Sequence, residues 1–181
     1  MHPSHLPERF GLATLIVLGE AIASVATATN DTHWQLASTL AAVGGFALAA
    51  CLWWLYFNFL ETAVVIRGIG SHVYNYGHLP ILMGITLVAV CIQHTIVEAN
   101  QSVLPDATRW VLCGGVALYM LSIGIIWIAG CHRRITRLLV PSIAITLGLA
   151  IAGGQLPPLA IEGLLLALLA GKVSLEILRS K

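Results

Sequence analysis

The stretch Glu8–Thr29, ERFGLATLIVLGEAIASVATAT, decides the fold of this chain, because it is apolar over almost the whole length of a membrane-spanning helix. A helix needs about twenty mainly apolar residues to cross the hydrocarbon layer of a bilayer. Glu20 does not suit lipid, and it stands about 16 Å of helix rise beyond Arg9, close to mid-membrane. An acid at that depth costs on the order of 2.5–3.5 kcal/mol, so we expect protein to shelter it and its helix to turn that side inward.

The rest of the chain repeats this apolar pattern. Of its 181 residues, 58% are hydrophobic and only 9% are charged, whereas about a quarter are charged in soluble proteins. Six runs have the length and composition of spans: Phe10–Thr29, Gln35–Leu60, Gly77–Ala99, Arg109–Ala129, Leu138–Gly153 and Leu159–Leu178. The sequence therefore predicts an all-α, polytopic transmembrane helical bundle of about six spans, as a single domain over residues 1–181 that lies in a lipid bilayer.

Positive charges predict the orientation, since lysine and arginine concentrate in cytoplasmic loops. With a cytoplasmic N-terminus, the outer face receives only Arg109. The inner face receives Arg9, Arg67, Arg133, Arg134, Arg137, Arg179 and Lys181. Both termini are therefore expected in the cytoplasm.

Several function classes are disfavoured. The net charge is +1 and there is no basic stripe of the kind that nucleic acid requires. The four cysteines are far apart, and the seven histidines lack the spacing of metal ligands, so no metal and no cofactor is predicted. GIGSH, residues 68–72, sets a serine beside a histidine in a connection, where no protected nucleophile and base can form. No catalytic residue is predicted, and an enzyme is disfavoured.

Polar side chains follow Glu20 on its own helix. Ser24 and Thr27 come one and two turns later and share its face, which predicts a polar stripe toward the bundle interior. Glu20 then either binds a proton, cation or polar substrate, or simply pins two helices together. Lys172 in the sixth run is a possible counter-charge, although Glu176 one turn away offers it a local pair, which we favour.

His94 and Glu98 form a second candidate site, in the outer half of the third run. They are four residues apart and share a helix face, so they are suited to a proton-responsive pair near an outer opening. The alternative, which we favour, is a hydrogen-bonded histidine beside an interfacial acid.

Small residues at four-residue spacing predict close helix packing. They form three ridges: Ala41, Gly45 and Ala49; Ala144, Gly148 and Ala152; Gly163, Ala167 and Gly171. The last two ridges lie on consecutive helices joined by a short turn, so a tight hairpin is expected. The alternative is that alanine and glycine are merely common in such helices.

Three segments carry a resemblance to a known family. ERFGLATLIVLGE (residues 8–20), WWLYF (53–57) and HLPILMGITLVAVCIQH (78–94) resemble the bacterial low-temperature-requirement A family of membrane proteins. The resemblance implies a multi-pass protein of the bacterial inner membrane and supplies no catalytic residues. Family members tend to be about twice as long, so the chain is expected to match a C-terminal half that pairs with a second six-helix half or with itself.

The chain departs from the family pattern at three positions. Asn58 and Gln93 stand where the family has acids, and Ala21 stands where a small hydroxyl residue is common. If those acids form a charged pathway, two of them are amides here. The sequence thus favours a transporter or channel-like protein with a polar site around Glu20. The alternative is a non-transporting scaffold or stress-adaptation subunit in which Glu20 is structural.

Overall fold

The computed structural model describes residues 6–60, 69–129 and 136–179, which form six α-helices. In chain order they are α1 (Leu6–Asp31), α2 (Leu36–Leu60), α3 (Ile69–Val97), α4 (Asp106–Ala129), α5 (Thr136–Ala152) and, after a 3₁₀ turn at Gly153–Gln155, α6 (Pro158–Arg179). Each predicted run forms one helix, which confirms the all-α bundle. Within the described residues, α1 to α4 are long and apolar enough to cross a membrane, and the apolar helix over Leu139–Gln155 is shorter.

The start of α3 differs most from the prediction. The helix begins at Ile69, eight residues before the apolar run that starts at Gly77. Its first turns include Tyr74, and His78 follows one turn later; both side chains are buried in the bundle. Packing of these rings against neighbouring helices therefore extends α3 into a segment that the sequence assigned to a connection. The rest of that connection, residues 61–68, lies outside the described residues.

Three of the turns between helices meet at one end of the bundle. Gln35, after α1, accepts a hydrogen bond from Asn100, after α3, at 2.6 Å. Leu104 donates its backbone N–H to the carbonyl of Leu156, between α5 and α6, at 3.1 Å. We call this the outer end and the opposite one the inner end, following the predicted orientation. Of the inner charges behind that prediction, Arg67, Arg133, Arg134 and Lys181 lie outside the described residues.

Arg109 ties the outer end together. The sequence predicted it as the one cation on the outer face, and the structure buries it between α4 and the end of α5. Its Nε donates to the carbonyl oxygen of Ala150 at 2.9 Å, and its Nη1 lies 2.7 Å from Oδ1 of Asp106. A carbonyl near the end of α5, which the helix leaves short of partners, is thereby satisfied.

The centre of the bundle is formed by α2, α3 and α4. The backbones of α3 and α4 meet at two glycines, since a Cβ placed on Gly84 would lie 2.8 Å from the carbonyl oxygen of Gly115. The Tyr119 hydroxyl of α4 donates to the backbone carbonyl of Leu52 in α2 at 2.6 Å. Around this centre, α1 packs on α3, α5 on α4 and α6 on α2.

The expected hairpin of α5 and α6 is wrong. These helices barely touch, because α5 turns to α4 and α6 turns to α2. Their small residues face outward: Ala144, Gly148, Ala152, Gly163, Ala167 and Gly171 are all exposed. The small side chains on those faces bury little surface in a contact. The larger apolar side chains on the opposite faces pack into the core instead. On α2, by contrast, Ala41, Gly45 and Ala49 are all buried.

Candidate functional site

Glu20 lies on the exposed side of α1. Thr27 is exposed with it, and its hydroxyl donates to the carbonyl of Ala23 in its own helix, while Ser24 is half-buried. The prediction that this stripe faces the bundle interior is therefore wrong for the six helices described. An acid near mid-membrane is still costly in lipid, and Glu20 lies on a face that the described helices leave uncovered.

The buried side of α1 explains this orientation. Thr14, Leu18, Ala21, Val25 and Ala28 repeat at intervals of three and four residues, and all five are buried. The Thr14 hydroxyl donates to the carbonyl of Phe10 at 2.9 Å, so this polar residue enters the core without an unpaired group. Packing of this stripe therefore decides which way α1 turns, and Glu20 lies on the other side.

His94 and Glu98 do not form the predicted pair. His94 is exposed and Glu98 is half-buried, and the structure shows no hydrogen bond or ion pair between these two described side chains. Oε2 of Glu98 is buried without a hydrogen-bond partner. Both residues remain near the outer end, but they are not brought together.

Lys172 is not brought to Glu20 either. Its side chain is only 4% exposed and lies on the buried face of α6, whereas Glu20 is on the exposed face of α1. Glu176, one turn further along α6, is half-buried. Lys172, the possible counter-charge of Glu20, therefore lies in a different part of the bundle from that acid.

The sequence prediction missed Glu162, the most deeply buried acid among the described residues. Its side chain is 2% exposed and lies one turn after the start of α6. Neither carboxyl oxygen has a hydrogen-bond partner. Burying such a group without a partner costs roughly 1–3 kcal/mol, so its position needs an explanation.

Two adjacent glycines of α2 make room for this carboxyl group. A Cβ on Gly44 would lie 3.0 Å from Cδ of Glu162, and one on Gly45 would lie 3.3 Å from its Oε1. The same Cβ on Gly45 would overlap the side chain of Ile92 in α3. The carboxyl group thus occupies a cradle of bare helix backbone between α2, α3 and α6, and any side chain at either glycine would intrude on it.

One sequence signal was available for this site. PLAIEGLLLALL, residues 158–169, places a single acid in a mainly apolar run, as GLATLIVLGEAIASV, residues 11–25, does for Glu20. No role was predicted for Glu162, which lies near the end of its run, where headgroups and water are close. The depth of a residue in its run says little about whether a neighbouring helix covers it.

A second buried polar cluster lies toward the inner end. His78 is fully buried; its Nδ1 is 2.6 Å from the carbonyl of Tyr74 and its Nε2 is 3.2 Å from the hydroxyl of Tyr56. Phe10 stacks on the imidazole, with ring centroids 4.1 Å apart. This cluster joins α1, α2 and α3 through one ring.

Among the described residues, no group of three or more histidine, cysteine, aspartate or glutamate side chains is close enough to hold a metal ion. His2, His5, Cys131 and His132 lie outside the described residues.

Comparison with known proteins places these features in a family. The family model of the bacterial low temperature requirement A protein (LtrA) matches residues 1–173. A protein of Rhizobium meliloti (strain 1021), described as uncharacterized, is 29% identical over 100 residues; the match covers 48% of this chain and 23% of that protein. The chain thus spans well under two thirds of that relative, and no solved structure matches. With four helices apolar enough to cross a bilayer and a family match over nearly its whole length, the chain is an integral membrane protein that belongs to the bacterial low temperature requirement A (LtrA) family.

Proposed function

We propose that this protein is a proton-conducting transporter or channel-like protein of the bacterial inner membrane, with both termini in the cytoplasm, in which Glu162 is the proton-binding carboxyl group. The observation that carries the proposal is the burial of Glu162 with neither oxygen hydrogen-bonded. An ionisable residue inside a membrane bundle is costly and typically marks an ion or proton pathway. A purely structural acid would be expected to satisfy its oxygens with donors on a neighbouring helix.

A proton suits this cradle better than a metal ion. An ionised carboxylate here is a buried charge that needs a cation beside it. A metal ion needs several oxygen ligands at once, whereas Gly44 and Gly45 offer only helix backbone at van der Waals distance. A proton needs one oxygen, which Glu162 supplies.

The position of Glu162 supports exchange of this proton at the outer end. The residue lies four positions after Pro158, about 6 Å of rise into α6. A small separation of α6 from α2 would expose the carboxyl group on that side. Because α6 packs mainly on α2, such a motion disturbs few other contacts.

Proton flux through the purified protein tests this proposal. Wild type and variants are reconstituted into liposomes that contain a pH-sensitive dye, and flux is started by a potassium diffusion potential. We expect flux in the wild type and its loss in Glu162→Gln. An amide keeps the shape of the side chain but cannot take up and release a proton near neutral pH. Glu176→Gln on the same helix is the matched control and should retain flux. Absence of flux in the wild type, or unchanged flux in Glu162→Gln, contradicts the proposal.

A second function is favoured by the exposed face of α1. Gly19, Glu20, Ala23 and Thr27 lie together on that face and are all exposed. Small residues beside a polar one are typical of helix association in membranes. We infer from this face a role as an assembly or stress-adaptation component, in which a second copy or a second six-helix half covers Glu20.

Disulfide trapping in membranes tests that role. In a background without the native cysteines, Ala23→Cys should give a covalent dimer on mild oxidation, whereas Ile145→Cys on the exposed face of α5 should not. Equal trapping at the two positions, or none at Ala23, argues against pairing of copies through α1.

A further inference from the structure

A groove between α1 and α2 is open over the inner half of the bundle. It consists of two cavities, of about 470 Å³ and 320 Å³, that adjoin at Leu15, which lines both. The first cavity begins at Pro7 and Leu60 near the inner end, and the second ends at Ile22 and Phe46. The groove therefore follows the length of α1 from the inner surface to the middle of the membrane.

The side chains of the two helices explain why the groove opens at one end only. A connection of residues 32–35 joins α1 to α2 at the outer end, and the small residues Ala28 and Ala41 near it are fully buried. Small side chains let two helices approach closely. Further in, α2 lines the groove with the large side chains of Phe46, Trp53 and Phe57, which take up space between the helices.

We propose that this groove binds one acyl chain of a phospholipid from the inner leaflet, with the headgroup at the level of Pro7. From Gly11 to Ile22 the lining of α1 covers about 16 Å of helix rise. The hydrocarbon of one leaflet is about 15 Å deep, half of the bilayer core. Pro7 lies four residues before Gly11, about 6 Å further toward the inner surface, where the headgroups are.

The length of the groove favours a lipid over a helix from a second copy. A partner helix that crosses the membrane needs a contact surface over the full hydrocarbon core of about 30 Å, whereas this groove ends near mid-membrane at Ile22. The groove is also open along its side, where Leu12 and Trp53 are 62% and 46% exposed. A chain of the surrounding leaflet can therefore enter sideways while its headgroup stays at the surface.

The chemistry of the lining favours a phospholipid over a free fatty acid. Among the described residues that line the two cavities, no side chain is cationic. The carboxylate of a free fatty acid would thus find no counter-charge in the groove, whereas a phospholipid brings only its apolar chain into it.

Two glycines of α1 leave room for the chain. Gly11 lines the first cavity and Gly19 the second. A Cβ on Gly19 would meet nothing within 4 Å, and one on Gly11 would touch only the ring of Phe57, at 3.6 Å. Leucine at both positions therefore fits the backbone without overlap and fills the space that the acyl chain would occupy.

The groove is separate from the cradle of Glu162. None of the described lining residues belongs to α6, and neither Gly44 nor Gly45 is among them. The lipid site therefore stands or fails independently of the proton role.

Native mass spectrometry of the purified protein tests the site. The protein is reconstituted in nanodiscs of phosphatidylethanolamine and phosphatidylglycerol, transferred to detergent and washed in steps that remove lipid. We expect one phospholipid per protein to stay bound after the others have been lost. A bound fatty acid, a stable dimer without lipid, or gradual loss with no plateau at one phospholipid overturns the proposal.

Variants locate the retained lipid. The double variant Gly11→Leu/Gly19→Leu should lower its occupancy about fivefold or more, because the new side chains fill the groove. Gly171→Leu is the matched control: this glycine lies on the exposed face of α6, a Cβ there also meets nothing within 4 Å, and retention should equal wild type.

A second variant fills the groove from the opposite wall. Ala50→Phe on α2 should also lower the occupancy, and it replaces the double variant if thermal unfolding shows that the latter is not folded. Retention in the folded groove variants equal to that in Gly171→Leu would place the lipid elsewhere and overturn the proposal.

Discussion

Replacing Gly84 with alanine should separate the two central helices. The new Cβ would lie 2.8 Å from the carbonyl oxygen of Gly115, and 3.0 Å from both the backbone nitrogen and the Cβ of Tyr119. These are atoms of the opposing main chain or attached directly to it, so no rotation of a side chain relieves the overlap. The helices α3 and α4 must instead move apart along the most extensive contact in the bundle.

The size of the effect follows from two opposing contributions. Overpacking of a core costs typically about 1–3 kcal/mol. Alanine recovers up to about 1 kcal/mol in helix propensity relative to glycine. With that full recovery, the net loss in the free energy of unfolding is about 0–2 kcal/mol for Gly84→Ala, which leaves it about 1–3 kcal/mol less stable than an alanine variant without the overlap.

Gly114 supplies a matched control, because a Cβ there meets nothing within 4 Å. Gly114→Ala gains the same propensity without the overlap, so it should be neutral or more stable than wild type by up to about 1 kcal/mol. Unfolding by dodecyl sulfate in mixed micelles, followed by far-ultraviolet circular dichroism, measures both variants. If Gly84→Ala unfolds at the same detergent fraction as Gly114→Ala, the close contact of α3 and α4 is wrong.

Three further variants report on single interactions. Glu162→Met should raise the free energy of unfolding by about 1–3 kcal/mol, because an unbranched apolar side chain replaces an unpaired buried acid. It should also abolish proton flux. A variant less stable than wild type would mean that the carboxyl group has a partner. Tyr119→Phe should lower stability by about 0.5–1.5 kcal/mol in the same titration, because the hydroxyl that donates to Leu52 is lost. Arg109→Gln should speed hydrogen exchange at the end of α5, because the carbonyl of Ala150 loses its donor, and unchanged exchange there would contradict that role.

The sequence predicted the helices well because length and hydropathy are local properties. It predicted their packing less well. The ridges on α5 and α6 had the right spacing for association, yet Gly148 and Gly163 face outward. The close approach of the α3 and α4 backbones uses one glycine from each helix, Gly84 and Gly115. No repeat of small residues within either helix predicts this contact. Which faces meet depends on all six helices at once.

The dependence of packing on all six helices also explains why Glu20, and not Glu162, was predicted as the buried acid. Glu20 was chosen for its depth, and depth follows from the position of a residue in its run. Burial depends on the neighbouring helix, and Gly44 and Gly45 of α2 shelter Glu162 from 117 residues away in the chain, counted from Gly45. The glycine pair in the second apolar run and the lone acid in the sixth can both be seen in the sequence. No local pattern indicates that the two runs pack together at these residues.

The most direct test of the proton role compares Glu162→Gln with Glu20→Gln in the same liposomes, with the same dye and the same imposed potential. We predict that the first variant loses the wild-type proton flux and that the second retains it. Flux that persists in Glu162→Gln and disappears in Glu20→Gln would place the working acid on the exposed face of α1 and contradict the role given to the buried carboxyl group.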